Sequence, residues 1–361
     1  LKQPAHGGNL AWAAALAGCP PSAILDFSAS INPLGPPSSA ISAIQTHISE
    51  LRAYPDPDYH ELRTALAQLH QLSADWILPG NGSAELLTLA GRDFSQLAET
   101  YLLTPAFGDY RRALKAFDVN VLECPLSFVR EQWSFVLSPS QGTQNKGLLL
   151  NNPHNPTGTL FQKETILPYL EQFALVVVDE AFMDFLPADR QQSLVPVVRD
   201  YPNLVILRSL TKFYSLPGLR LGYAVAHPER LRKWQLWRDP WPVNVLAAAA
   251  GIAMVQDTEF QQKTWDWLPP ARTELFEGLA KIPGLQPHAG AANFLLVESD
   301  QPTSWLQQTL LKRKQILIRD CLSFPELGER YFRVAVRLES ENQRLLEGLT
   351  EILSEKDKPE E

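Results

Sequence analysis

Short apolar runs recur along the first two thirds of the chain, each closed by glycine, proline or a polar residue. Runs at 100–103, 119–124, 147–150, 175–178, 204–207 and Leu221–Ala226 read as strands buried on both faces. Trp76-Ile77-Leu78 opens another, and helix-period stretches such as 110–116 and 163–173 lie between several of them. Such alternation predicts an α/β fold whose mainly parallel, mixed sheet is flanked by helices. Nearer the start, His6-Gly7-Gly8-Asn9 leads into an Ala-rich helix that should close at Gly18. The turn Tyr54-Pro55-Asp56-Pro57 precedes a helix with Asp58 as N-cap and Glu61 three residues on. Its stripe of Leu62, Ala65, Leu66 and Leu69 is core packing.

From about Trp234 the pattern changes. Tryptophans and prolines surround helices at Val245–Val255 and 271–280; strands at 293–298 and 331–337 and a helix at 305–313 then suggest a smaller α/β domain. The expected division is an N-terminal arm with part of the small domain (1–44) and a large domain (45–240). A small C-terminal domain (241–354) and a charged, disordered tail (355–361), after a last helix at 342–353, complete it. The Pro- and Gly-rich stretch from Ile31 to Pro37 reads as an arm crossing between domains or to a partner subunit.

Composition narrows the field. The 361 residues are 45% hydrophobic and 20% charged, ordinary for a soluble globular protein. A net charge of -8 without long Lys/Arg runs argues against a nucleic-acid binder. Three scattered cysteines without metal spacing point to no metal and to the reducing cytoplasm. No apolar run nears the ~20 residues that would span a membrane. The first residues lack the apolar core of a signal peptide.

In open sheets of this kind, ligands bind beyond the carboxyl ends of the strands. Gly82-Ser83-Ala84, 151–155, Asp179 and Lys212 all follow such runs, and Arg220 lies past a Pro-Gly turn. Taken singly, Lys212 reads equally as a solvated loop lysine or as an amine whose pKa burial and a nearby cation lower, as a Schiff-base lysine requires. Asp179 closes Val176-Val177-Val178; as a buried carboxylate it needs a cation, and a protonated pyridine nitrogen is one. The helix start at Gly82–Ala84 and Arg220 could hold a phosphate. Phe107 could stack on a ring, and Asn155 could donate to a phenolic oxygen. Each has a plainer reading: Asp179 as an N-cap, Phe107 as core, Asn155 as a turn former before Pro156. Their conjunction favours pyridoxal phosphate.

The motifs Gly80-Asn-Gly-Ser-Ala-Glu85, Asn151-Asn-Pro-His-Asn-Pro-Thr-Gly158, Asp179-Glu-Ala-Phe182 and Ser209-Leu-Thr-Lys212, followed by Gly218-Leu-Arg220 and Gly222-Tyr223, carry a family resemblance. Over essentially its whole length the chain resembles the fold-type I pyridoxal-phosphate enzymes of the aminotransferase superfamily. The resemblance implies Lys212 as the Schiff-base lysine, Asp179 at the ring nitrogen and Asn155 at the phenolic oxygen. It places Ser83, Ala84, Ser209 and Arg220 around the phosphate, with Tyr54 arriving from the second subunit of a homodimer. Phe182 stands where many relatives have a tyrosine, so Asn155 would make the phenolic contact alone.

Within the family, His6-Gly-Gly-Asn9, 26–37, Ile318-Arg-Asp-Cys321 and Phe332-Arg-Val-Ala-Val-Arg337 resemble the threonine-phosphate decarboxylases of cobalamin biosynthesis. Histidinol-phosphate aminotransferases are the neighbouring branch. The expected substrate is a small phosphorylated amino acid, bound by Arg333 and Arg337 from one strand face and by His6 and Asn32 from the arm. Arg319 is left open between a substrate contact and a structural pairing with Asp320. A ligand-sensing regulator built on this fold would need an added basic helix-turn-helix segment, and none is present.

Overall fold

The computed structural model describes residues 4, 6–137 and 145–356. Seven strands form the main sheet: β1 (Ile77–Asn81), β2 (Glu99–Thr104), β3 (Val121–Pro125), β4 (Lys146–Asn151), β5 (Leu175–Asp179), β6 (Leu204–Ser209) and β7 (Leu221–Ala226). Their spatial order is β1-β7-β6-β5-β4-β2-β3, and β7 runs antiparallel to both neighbours while β6 through β3 pair in parallel. Period-two alternation divides the apolar runs between two layers. Val176 and Val178 enter one core with Leu148 and Ile206; Leu175 and Val177 enter the other with Leu149 and Val205. Every residue of β5, β6 and β7 is buried, as a sheet covered on both faces requires.

A second, antiparallel sheet has the order β8-β9-β11-β10, from β8 (Leu285–His288), β9 (Phe294–Ser299), β10 (Arg319–Asp320) and β11 (Tyr331–Ala335). The segment after Ile24 ties the two sheets together. Leu25 and Asp26 pair with Ile316 and Leu317, Phe27 accepts from Ala335 N, and Asn32 N donates to the Lys212 carbonyl. The last helix, Glu339–Lys356, runs two residues into the expected tail, and 357–361 lie outside the described residues.

Three local expectations are corrected. The capping carboxylate of helix His60–Leu69 is Asp56, whose Oδ2 accepts from His60 N at 2.8 Å, and not Asp58. Tyr59, with φ +48, holds the N-cap position and packs its side chain into the core, so the chain reaches back past Asp58 for its cap. The helix expected at 271–280 begins at Thr258 and runs to Ala280 through Pro269 and Pro270. Phe260, Thr264, Leu268, Ala271, Leu275 and Leu279 are buried at helical spacing on both sides of the prolines, so packing outweighs the lost backbone donors. The strand expected at 331–337 ends at Ala335, short of Arg337.

Two histidines, His154 buried and His70 half-buried, lie in the large-sheet region. His70 Nε2 meets the Tyr223 hydroxyl at 2.8 Å, and His154 Nδ1 meets the Thr157 hydroxyl at 2.9 Å. Burial pushes both imidazoles down from 6.5 to about 3. Between those pH values the unfolded chain binds protons that the native chain refuses, so stability is full above pH 6.5 and falls as pH drops towards 3. Each histidine should contribute a slope of about 1.4 kcal/mol per pH unit in that window. Urea titrations of the native chain and of His70→Gln across this range should show a shallower acid loss in the variant; parallel curves would contradict the assignment.

Candidate active site

The carboxyl edge of the large sheet brings the candidate residues into one row. Asn151 pairs with Asp179, Asp179 with Leu207, Ser209 with Gly222, and Gly222 with Gly80. Because β7 is reversed, Arg220 at its start lies at the same edge as the ends of its neighbours. Lys212 follows in the one-turn helix Leu210–Phe213. The turn into α1 (Ser83–Phe94) needs glycine: Gly82 has φ +74, and a Cβ there would lie 2.5 Å from an Arg220 Nη. A Cβ on Gly222 would lie 2.6 Å from Ser83 N, so the strand and the helix start touch through backbone alone. Ser83 N and its neighbours in the first turn are the donors of a helix N-terminus.

Above this edge lies a cavity of about 220 Å³. Lys212, Asp179, Ser83, Asn155 and Phe107 line it, as does Phe182, whose ring centre is 5.3 Å from Lys212 Nζ. Gly82, Ala84, Ser209 and Arg220 stand at the same edge without lining the cavity; Ser209 Oγ accepts from Lys212 Nζ at 3.3 Å. Burial lowers the Lys212 pKa, Asp179 opposes that, and Arg220 and Arg333 add to it. Burial raises the Asp179 pKa, while Lys212 and the hydrogen bonds it accepts pull the other way. Those bonds come from the Tyr110 hydroxyl at 2.8 Å and Ala181 N at 3.0 Å.

Tyr110 was missed by sequence reading. Its signal is its place three residues after Phe107, the N-cap of α2 (Gly108–Lys115); the two rings meet edge-on at 5.6 Å.

The opposite wall is cationic. Arg333, on β11, donates through Nη1 to Asn155 Oδ1 and through Nη2 to the Ser28 carbonyl. Asn155 is left with its Nδ2 hydrogens as donors for a ligand. Burial, with repulsion from Arg319, pushes the Arg333 guanidinium down to about 10. Its Nε has no hydrogen-bond partner, and no carboxylate pairs with it among the described residues. Arg319 lines the same cavity, donating to Ser323 Oγ at 2.6 Å and lying 3.9 Å from Asp320. Arg319 thus lines the cavity and lies beside Asp320 at once.

The arm closes the cavity from a third side. His6 lines it with its ring 5.6 Å from that of Phe107, and a Cβ on Gly7 would lie 2.2 Å from the Ser28 carbonyl oxygen. Ser30 also lines it, with a buried hydroxyl that finds no partner among the described residues.

Three expected residues lie elsewhere. Asn32 does not line the cavity: its Nδ2 donates to the Phe213 carbonyl and to Thr264 Oγ1, and its Oδ1 accepts from Leu34 N. It braces the backbone that carries Lys212. Arg337 does not line it either, because two of its nitrogens are held by the Glu341 carboxylate and a third by the Asp26 carbonyl. Two residues beyond the strand end, it has lost the face it was expected to share with Arg333. Tyr54 is 79% exposed, stacked on Trp241 at 4.3 Å, and does not line its own chain's cavity.

With this geometry in view, comparison with known proteins places the chain in one family and its fold in one class. The family profile for aminotransferase class I and II matches residues 22–349, and the chain belongs to that family. It is 38% identical to a threonine-phosphate decarboxylase of Salmonella typhimurium, covering 97% of each chain. It is also 34% identical to a histidinol-phosphate aminotransferase of Symbiobacterium thermophilum, over 90% of this chain and 89% of the other. Among solved structures, the histidinol-phosphate aminotransferase of Clostridium acetobutylicum superposes with a TM-score of 0.84 at 29% identity, covering 92% of this chain and all of that one.

Arg337→Ala should lower stability by about 1 kcal/mol, as loss of a partly exposed ion pair does, and leave ligand binding in the cavity unchanged. Urea titration beside a ligand titration checks this; weakened binding at full stability would return Arg337 to the site.

Proposed function

We propose that the chain binds pyridoxal phosphate at the carboxyl edge of the large sheet and decarboxylates L-threonine O-3-phosphate to (R)-1-aminopropan-2-yl phosphate, a step of cobalamin biosynthesis. One observation carries the substrate reading: two buried guanidinium groups, those of Arg319 and Arg333, share a cavity wall, and Arg333 pairs with no carboxylate among the described residues. A buried cation without a counter-charge is costly, and an anionic ligand relieves that cost. The 38% likeness to a threonine-phosphate decarboxylase supports the same choice.

The residues present fit the cofactor. Lys212 offers a half-buried amine of lowered pKa to its aldehyde carbon. Asp179 is a buried carboxylate with two neutral donors, suited to a protonated ring nitrogen. The first turn of α1, with Ser83, Ala84 and Ser209, and Arg220 would hold the phosphate. Phe107 would cover the ring, and Asn155 would donate to its phenolic oxygen through Nδ2. Phe182 has no hydroxyl to join it.

When bound, pyridoxal phosphate supplies an electron sink for the pair released as a bond to the substrate's α-carbon breaks. The protein's part is to choose that bond. A decarboxylase must hold its substrate by the end remote from the departing carboxylate, and Arg319, Arg333 and His6 provide that hold. Breaking the carbon–carbon bond releases carbon dioxide, and a proton then returns to the α-carbon, for which Lys212 is the nearest amine. The arm over the cavity limits water at that stage.

Tyr54 belongs to the same reading: exposed beside Trp241, it would reach the phosphate bound by a second copy in a homodimer with composite sites. In the same reading, the N-terminal arm with part of the small domain (1–44), the large domain (45–240) and the small C-terminal domain (241–354) would all supply residues to the cavity.

Two measurements test this reading. Purified chain with pyridoxal phosphate should release carbon dioxide from phosphothreonine without 2-oxoglutarate; 2-oxoglutarate-dependent turnover of histidinol phosphate alone would replace the decarboxylase with the aminotransferase. Lys212→Ala should lose the visible absorbance band of the bound cofactor and at least ~1000-fold in activity. Retention of both would refute the lysine's role.

A further inference from the structure

The loop between β10 and β11 supplies three things to the cavity region. Phe324 and Ser323 line the cavity, and Ser323 Oγ accepts from Arg319 Nη2 at 2.6 Å, fixing that guanidinium. Glu326 lies two residues further on and leaves the small sheet altogether. Its Oε1 accepts from Arg111 Nη2 at 3.1 Å, and Arg111 sits on α2, the helix whose start carries Phe107 and Tyr110. Arg111 is itself pinned from two sides: Nε donates to Glu123 at 2.8 Å, and Nη1 reaches the Ala106 carbonyl at 3.4 Å. The loop has two further anchors: Cys321, Phe324 and Leu327 pack around Leu296 and against Trp133, and the Glu329 carboxylate accepts from Ser304 N and Oγ.

We infer that the Arg111–Glu326 ion pair is a latch across the cavity mouth that sets affinity for the anionic substrate by holding the Ser323–Phe324 loop, and with it Arg319, in the binding position. Arg111 and Glu326 are positioning residues, since neither lines the cavity. The physical reasoning is one of leverage. The apolar anchor holds the loop to the small sheet and to Trp133, and the ion pair joins its far side to the element carrying Phe107. Ser323 is three residues from Glu326, so freeing Glu326 loosens the hydroxyl that orients Arg319. Arg319 lies on the substrate wall, so the effect falls on substrate and leaves the cofactor edge alone. Both side chains are about a quarter exposed. The pair is therefore screened by salt and of modest strength.

This inference rests on the proposed function, and the test separates the two. Binding of phosphothreonine to the holoenzyme is followed by the change in the cofactor's visible absorbance, which reports occupancy whether or not decarboxylation follows. Glu326→Gln and Arg111→Gln should each weaken binding about three- to five-fold. The double variant should be no weaker than either single one. Cofactor affinity should be unchanged in all three. Glu123→Gln, which removes the other partner of Arg111 without touching the loop, should bind as the native chain does. Additive losses, equal losses in Glu123→Gln, or loss of cofactor affinity would overturn the latch. If the native holoenzyme binds histidinol phosphate and not phosphothreonine, the substrate reading fails and the same variants are read with histidinol phosphate. If it binds neither, both ideas fall.

Discussion

The site depends on two opposite charges buried at one sheet edge. Asp179 ends a strand whose every residue is buried, and Lys212 follows the next strand over. Each charge would be costly alone, and each moderates the other's pKa. The sheet holds them in register, so the pair is a property of strand order more than of either side chain. Around it, elements that could have ended anywhere end at this edge: the turn at Gly82, the reversed strand that brings Arg220 alongside, and the helix that carries Tyr110 to Asp179.

A second constraint shapes the substrate side. The four-stranded sheet presents Arg319 and Arg333 to the same cavity, and Arg333 pairs with no carboxylate among the described residues. Asn155 accepts from Arg333 and would still donate to a cofactor, so one amide links the two halves of the site. The arm brings His6 over Phe107 and Ser28 under Gly7, closing the cavity with backbone where a side chain would collide. Asn32 shows how such a segment does two jobs. Its neighbours line the cavity, while its own amide braces the Lys212 loop from behind.

Apolar periodicity and punctuation made the large sheet legible, with strand runs correct to a residue or two. The position of Lys212, Asp179, Asn155 and Ser83 after those runs placed them at one edge, because a parallel sheet allows few alternatives. Local sequence does not carry which side of a strand end a long side chain takes, or who else competes for it. Arg337 matched the period of Arg333, but its strand stops at Ala335 and Glu341 is one helical turn away. Pro269 and Pro270 would break an isolated helix, and only packing on both sides explains their place inside one.

The sequence by itself determined the sheet, the row of polar residues at its carboxyl edge and the family, because those rest on motifs whose spacing the backbone enforces. Tertiary structure alone decided which side chains line the cavity beside Arg333. Arg319 joined it there through the pairing of β10 with β11, Asn32 turned away to Phe213 and Thr264, and Tyr110 reached Asp179, while Arg337 was taken up by Glu341 four residues on and by the Asp26 carbonyl. Long-range pairing sets where a charge is buried and what it meets, and no window of local sequence contains that information.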